Sequence, residues 1–182
     1  MEEKIVYFDK PGKGNTADVI QLVKERAQAR GINRFVVAST GGSTARDFLE
    51  AVKGTDLRLV IVPWQFGFKG GDQPFPQELV DELRAKNHHV HFGTMLFHTT
   101  DFYGMGAPEA MANLLRTFGQ GTKVCLEILL MACDGGCISI GEKVIAVAGT
   151  GSGADTALVA TAAPTTRLKS LRIHEIICKP VM

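Results

Sequence analysis

The stretch Arg34-Phe35-Val36-Val37-Ala38-Ser39-Thr40-Gly41-Gly42-Ser43-Thr44-Ala45 decides the fold. It opens with a short, near-continuous apolar run, the pattern of a parallel strand covered on both faces. It then passes through a Gly-Gly turn into an amphipathic helix predicted from Thr44 to Val52. A buried strand feeding a helix through so short a turn is part of a βαβ unit, and such units build parallel sheets.

The same alternation extends to both sides. Upstream, a short strand at Ile5–Phe8 leads into the breaker-rich loop Asp9–Asn15. A helix follows from Thr16 to Arg30, with Ile20, Val23 and Ala27 on one face, Asn15 or Thr16 as cap and Gly31 as stop. Downstream come a buried strand at Leu57–Val62, a loop over 65–76, a helix from Glu78 to Lys86 and a strand at Val90–Thr94. After an irregular stretch over 95–107, helices are predicted at Pro108–Phe118 and Thr122–Cys133. Strands at Lys143–Ala148, Ala157–Ala162 and Ile173–Cys178 follow without intervening helices, which predicts an antiparallel edge on the parallel sheet. The expectation is one α/β domain over 1–182 with a mixed, mostly parallel sheet.

Composition narrows the function classes. The 182 residues are 45% hydrophobic and 21% charged, with a formal net charge of +1. That balance lacks the basic excess a nucleic-acid partner requires. No apolar run reaches the roughly 20 residues of a membrane span, and the acidic start Met1-Glu2-Glu3-Lys4 carries no signal core, so a cytoplasmic location without membrane contact is expected. Cys125, Cys133, Cys137 and Cys178 lack the spacing of a zinc or redox motif and read as reduced structural thiols. His88, His89 and His91 have no acid or cysteine partner in sequence and read as solvated side chains, so no metal site is expected.

Two glycine-rich turns carry the site. The first, Ser39-Thr40-Gly41-Gly42-Ser43-Thr44, sits at a helix N-terminus, where unpaired amides and a partial positive charge favour an anion. Its glycines let the backbone approach closely and its hydroxyls add donors, so a phosphate monoester fits; the plainer alternative is a tight turn with a Ser or Thr cap. Arg46 either lends charge there or faces solvent. The second turn, Gly149-Thr150-Gly151-Ser152-Gly153, follows a buried strand and either forms a nest of amides or simply connects two strands. Asp155 after it either fixes the loop through backbone bonds or accepts from a ligand hydroxyl.

In open α/β sheets ligands gather at the carboxyl ends of the strands. That rule adds the loop with Trp64, Gln65, Phe66, Gly67 and Phe68, and the loop with Met95, Phe97 and His98. A planar ring beside a phosphate suits these side chains, of which Gln65 and Phe68 are the ring-side candidates. Glu127 stands alone in an apolar helix and shares a face with Asp134 seven residues on. His98, Glu127, Asp134 and Asp155 are the titratable candidates, with no recognisable catalytic pairing.

The segments Tyr7-Phe8-Asp9-Lys10-Pro11-Gly12, Asn15-Thr16, Val36 to Ala45 and Val147 to Thr156 resemble the C-terminal domain of pyruvate kinases. With the ending Glu175-Ile176-Ile177-Cys178-Lys179-Pro180, the whole chain resembles stand-alone archaeal and bacterial relatives of that domain. The resemblance implies a three-layer α/β sandwich and a phosphate at Ser39–Thr44. It also implies flavin mononucleotide (FMN) as the ligand; the strand-end rule adds Gly149, Thr150, Gly151, Gly153 and Asp155 to the same site. Pyruvate kinase activity is not expected, since its (β/α)₈ barrel alone needs about 250 residues. The expected partner is thus a small phosphorylated molecule; a homo-oligomer is left open, and a sugar-phosphate regulatory module or a ligand-free scaffold are the alternatives.

Overall fold

The computed structural model describes residues 3–104 and 106–181. Seven strands are present: β1 (Val6–Phe8), β2 (Arg34–Ala38), β3 (Arg58–Val62), β4 (His89–Val90), β5 (Lys143–Ala148), β6 (Thr156–Thr161) and β7 (Arg172–Pro180). They form a single sheet in the order β1-β7-β6-β5-β2-β3-β4. The helices are α1 (Thr16–Arg30), α2 (Ser43–Ala51), α3 (Gln77–Ala85), α4 (Thr100–Tyr103), α5 (Ala107–Arg116) and α6 (Gln120–Asp134).

The alternation of side chains along each strand divides the core in two. Phe35 and Val37 of β2 pack with Val19 and Val23 of α1, Phe48 of α2 and Leu79 and Leu83 of α3. Val36, between them in sequence, faces the other way, onto Cys125, Ile128, Leu129 and Ala132 of α6. Both sheet faces are therefore covered, and the molecule is a three-layer α/β sandwich with a mixed sheet. Among the described residues no helix is long and apolar enough to cross a membrane.

The edge of the sheet differs from expectation. β6 is antiparallel to both β5 and β7, because the short turn after β5 can join only antiparallel neighbours. β7 then runs parallel to β1, which pairs Val6 with Cys178 and Phe8 with Pro180 and forms the outer edge. A single reversed strand thus sits inside the sheet, rather than an antiparallel block at its margin. Arg26 and Arg30 of α1 both bond Glu175 and fasten α1 to β7.

β4 is also shorter than the strand predicted at Val90–Thr94. His88 is buried, and its Nδ1 accepts the Leu59 amide at 3.2 Å. The last ladder bond comes from His91 N to Ile61 O at 2.9 Å. The His91 ring then occupies the space over Gly93 and Gly135, where neither glycine has room for a Cβ. His88 and His91 are therefore packing groups rather than solvated side chains; burial lowers the pKa of both.

α6 lies against the sheet closely enough that Gly121 matters. A Cβ there would overlap Thr156 and meet Asp155 Oδ1 at 3.0 Å. Intrinsic propensity favours alanine over glycine in a helix by about 1 kcal/mol. We expect the opposite sign here: Gly121→Ala should destabilise the protein by about 1–3 kcal/mol through overpacking. A shift of the urea midpoint with unchanged slope would establish this.

Candidate functional site

β2 and β5 are neighbours, but the chain leaves β2 for α2 on one face and reaches β5 from α6 on the other. The carboxyl ends of these strands therefore flank a topological switch point, where the loops part and leave a crevice. A cavity of about 420 Å³ lies there. All four loops that the sequence rule gathers contribute to it. Ser39, Thr40, Gly41, Ser43 and Thr44 come from the turn after β2, and Trp64, Phe68 and Lys69 from the loop after β3. Met95 and His98 follow β4; Gly149, Gly151, Ser152 and Gly153 follow β5. α6 closes the remaining side with Gln120, Lys123, Val124, Glu127, Ile128 and Met131.

The residues of the first turn divide into those behind it and those that line the cavity. Gly42 has φ +90°, and a Cβ on it would meet Leu79 Cδ2 at 2.8 Å and Pro76 Cδ at 3.2 Å, so it shapes the turn from behind. Gly41 has open space around it and lines the cavity. Ser39 Oγ accepts the Ala45 amide at 3.2 Å and so caps α2. The amides of Gly41, Gly42, Ser43 and Thr44 meet no protein acceptor among the described residues. Arg46 is exposed and does not line the cavity.

The second turn is held by Asp155. This carboxylate is fully buried and accepts from Gly12 N at 2.8 Å, Thr150 N at 2.9 Å and Thr156 Oγ1 at 2.7 Å. Thr16 Oγ1 adds a bond from Ala154 N at 3.0 Å, and Gly153 has no room for a Cβ against Lys13 and Thr16. Asp155 therefore fixes the loop through the backbone and stands outside the lining. Thr150 and Gln65 also support from behind. Gln65 Oε1 accepts the Met95 amide at 2.7 Å and ties the β3 and β4 loops together. Phe68 does face the cavity, edge-on to Trp64 at 4.9 Å and to His98 at 5.0 Å between ring centroids. Lys69 lies over the Trp64 ring, 4.9 Å from its centroid.

The wall formed by α6 carries the residue that the sequence reading missed. Lys123 is fully buried, and its Nζ lies 2.5 Å from Glu127 Oε2 and 3.5 Å from His98 Nδ1. Glu127 Oε1 accepts the Phe97 amide at 2.9 Å and lies 3.4 Å from His98 Nδ1. Burial alone would raise the Glu127 pKa. Hydrogen bonding to His98, the Lys123 charge and hydrogen bond, and the Phe97 amide together outweigh it and hold the carboxyl below its ordinary value. Burial lowers the Lys123 pKa, and attraction to Glu127 restores only part of the loss.

Lys123 is costly in three respects. It has no exposure, it sits in the first turn of α6 where the helix dipole opposes a cation, and it precedes its carboxylate, the weaker order for an i, i+4 pair. A signal existed in the sequence. The helix is apolar nearly all round from Val124 to Cys133, which implies burial, and a lysine four residues before a buried glutamate is then its natural partner. Asp134, expected to share the Glu127 face, is instead exposed at the C-terminal end of α6 and accepts the Thr165 amide at 2.8 Å. No protein-family model matches the chain.

The Glu127 carboxyl is held low in the folded state, so its contribution is fully present above the unfolded value of about 4.3 and is lost as pH falls through the folded value. Glu127→Gln leaves the Lys123 charge buried without its partner, which should cost about 3–5 kcal/mol at neutral pH. The difference in unfolding free energy between wild type and variant should shrink on acidification. Denaturant titrations at several pH values measure both effects, and a pH-independent difference would contradict the pairing.

Proposed function

We propose that this protein binds a phosphate ester in the cavity at the carboxyl ends of β2 and β5, with the phosphate at Ser39–Thr44. The observation that carries this reading is the run of amides from Gly41 to Thr44 that meet no protein acceptor among the described residues, at the N-terminus of α2, with Gly41, Ser43 and Thr44 lining a cavity of ligand size. Charge agrees with it. Among the lining residues Lys123 and Glu127 offset each other, whereas no carboxylate among the described residues is paired with Lys69, so the cavity favours an anion.

FMN is the first candidate. Its phosphate matches the turn, and its planar ring matches Trp64, Phe68 and Met95 at the other side of the cavity. When bound, a flavin supplies electron-transfer chemistry; the residues that would hold it are the turn hydroxyls and amides, Phe68 and the glycines after β5. The resemblance to the pyruvate kinase C-terminal domain supports the phosphate end of this reading. A sugar phosphate is the second candidate. It is favoured by His98, which lines the cavity and is 28% exposed, since an imidazole offers a hydrogen bond that a hydroxyl-rich ligand uses better than an apolar ring edge does.

Gly41 provides a clean test, because a side chain there meets no protein atom within 4 Å and enters the cavity. Gly41→Asp should leave the unfolding free energy within about 1 kcal/mol of wild type, since no buried contact is disturbed. It should abolish stabilisation by FMN and by sugar phosphates, as a carboxylate replaces the space for the phosphate. Under mass action a ligand at about 100 times its dissociation constant adds roughly 2.7 kcal/mol to the wild type. Thermal melts with FMN, riboflavin and triose, pentose and hexose phosphates, together with mass spectrometry of co-purifying small molecules, would identify the ligand. Equal stabilisation of wild type and variant would overturn the proposed phosphate position.

A further inference from the structure

We propose that His98 is an acid–base catalytic residue acting on a phosphorylated hydroxy-carbonyl compound, an aldose or ketose phosphate, in this cavity. The inference rests on the sugar-phosphate reading of the site and adds an activity to it: enolisation at the carbon beside the carbonyl.

His98 is the member of the polar wall that a ligand can reach. Its side chain is 28% exposed, whereas Lys123 is at 0% and Glu127 at 3%. The backbone on either side anchors the ring: His98 N donates to Met95 O at 2.9 Å, and the adjacent Phe97 amide is held by Glu127. Phe68 packs edge-on against the imidazole. With Nδ1 turned toward Glu127 and Lys123, the geometry of the ring puts Nε2 on its opposite side, and no protein partner of Nε2 occurs among the described residues.

The pair behind the ring suits proton transfer in both directions. Nδ1 has a carboxylate oxygen at 3.4 Å and an ammonium nitrogen at 3.5 Å. When Nδ1 carries the proton it donates to Glu127, and Nε2 is free to accept. When Nδ1 is bare it accepts from Lys123, and Nε2 carries a proton to give. Lys123 and Glu127 are thus positioning residues, and their opposite charges leave the ring beside a neutral pair.

The second requirement of enolisation is a place for negative charge on the carbonyl oxygen. The turn after β5 provides one. Thr150, Ser152, Ala154 and Asp155 spend their amides inside the protein, while the amides of Gly151 and Gly153, which line the cavity, meet no acceptor among the described residues. The first turn of α6 connects this turn to the histidine, since Gly121 abuts Thr156 and Asp155 and Lys123 reaches His98. The step balances simply. Nε2 removes the proton from the carbon next to the carbonyl, the C–H electron pair forms the C=C bond of the enediolate, and the carbonyl π pair moves to oxygen. Return of the proton to the same carbon restores the starting compound; its delivery to the other carbon, with the hydroxyl proton passing from one enediolate oxygen to the other, yields the isomer, and either route regenerates His98.

Incubation of the whole protein in heavy water with triose, pentose and hexose phosphates, followed by proton NMR, reads the exchange directly. Enzyme-dependent loss of the signal at the carbon beside the carbonyl is expected for at least one of these probes. His98→Gln should reduce it by about 10²-fold or more, the usual worth of a general base, while keeping thermal stabilisation by the same probe. Lys123→Met/Glu127→Gln should lower the exchange rate at saturating probe and leave its half-saturation concentration nearly unchanged. Wild-type stabilisation by a sugar phosphate with no exchange above buffer for any probe would overturn the inference and leave the phosphate reading standing. Undiminished exchange in a folded His98→Gln protein would also overturn it. Equal exchange of phosphorylated and unphosphorylated glyceraldehyde would support the catalytic histidine and sink the phosphate anchor instead.

Discussion

The parallel pairing of β2 with β5 governs the molecule. Val36 opposite Ala146 and Val37 opposite Val147 align two strands whose connections belong to different layers. A parallel pair needs a long crossover, and here the crossovers available to the two strands lie on opposite faces of the sheet. The backbone must therefore diverge just past Ala38 and Ala148. Each strand ends in glycine-rich chain because only small residues can make so abrupt an exit beside a packed helix. The cavity is a consequence of topology before it is a consequence of any side chain.

How much of this could be read in the sequence varied with the range of the interaction. The β2 turn was legible because its strand, glycines and helix are contiguous, and the strand-end rule gathered four loops that line one cavity. The parallel edge formed by β1 was not legible: its three residues find their place only against β7, at the other end of the chain. β4 stopped early because His88 and His91 entered the packing, an outcome decided by Leu59, Gly93 and Gly135 rather than by local pattern. Asp155 was weighed between loop clasp and ligand contact, and its three protein donors decide for the clasp. Lys123 went unnoticed because a lysine in a helix normally signals solvent, and only the apolar character of the rest of α6 argues otherwise.

The site combines groups with opposing demands. The proposed phosphate cradle asks for uncommitted amides and positive potential. The α6 wall carries a buried ammonium and a buried carboxylate that neutralise each other and spend most of their hydrogen-bonding capacity internally. The uncommitted amides of the glycine turns and the internally bonded Lys123–Glu127 pair line one cavity. Gly121 lets α6 lie close to β6, where a side chain would collide with Thr156.

The clasp at Asp155 links residues that are 143 positions apart in the chain, and the neighbouring Arg26–Glu175 contact spans 149. Bringing such distant segments together carries a large loop-closure entropy, and the pairing of β1 with β7 spans still more of the chain. The turn after β5 acquires its shape only when the chain's beginning and end have met. A ligand that requires both glycine turns is consequently indifferent to partly folded chains, and its binding reports a completed fold rather than a locally ordered one.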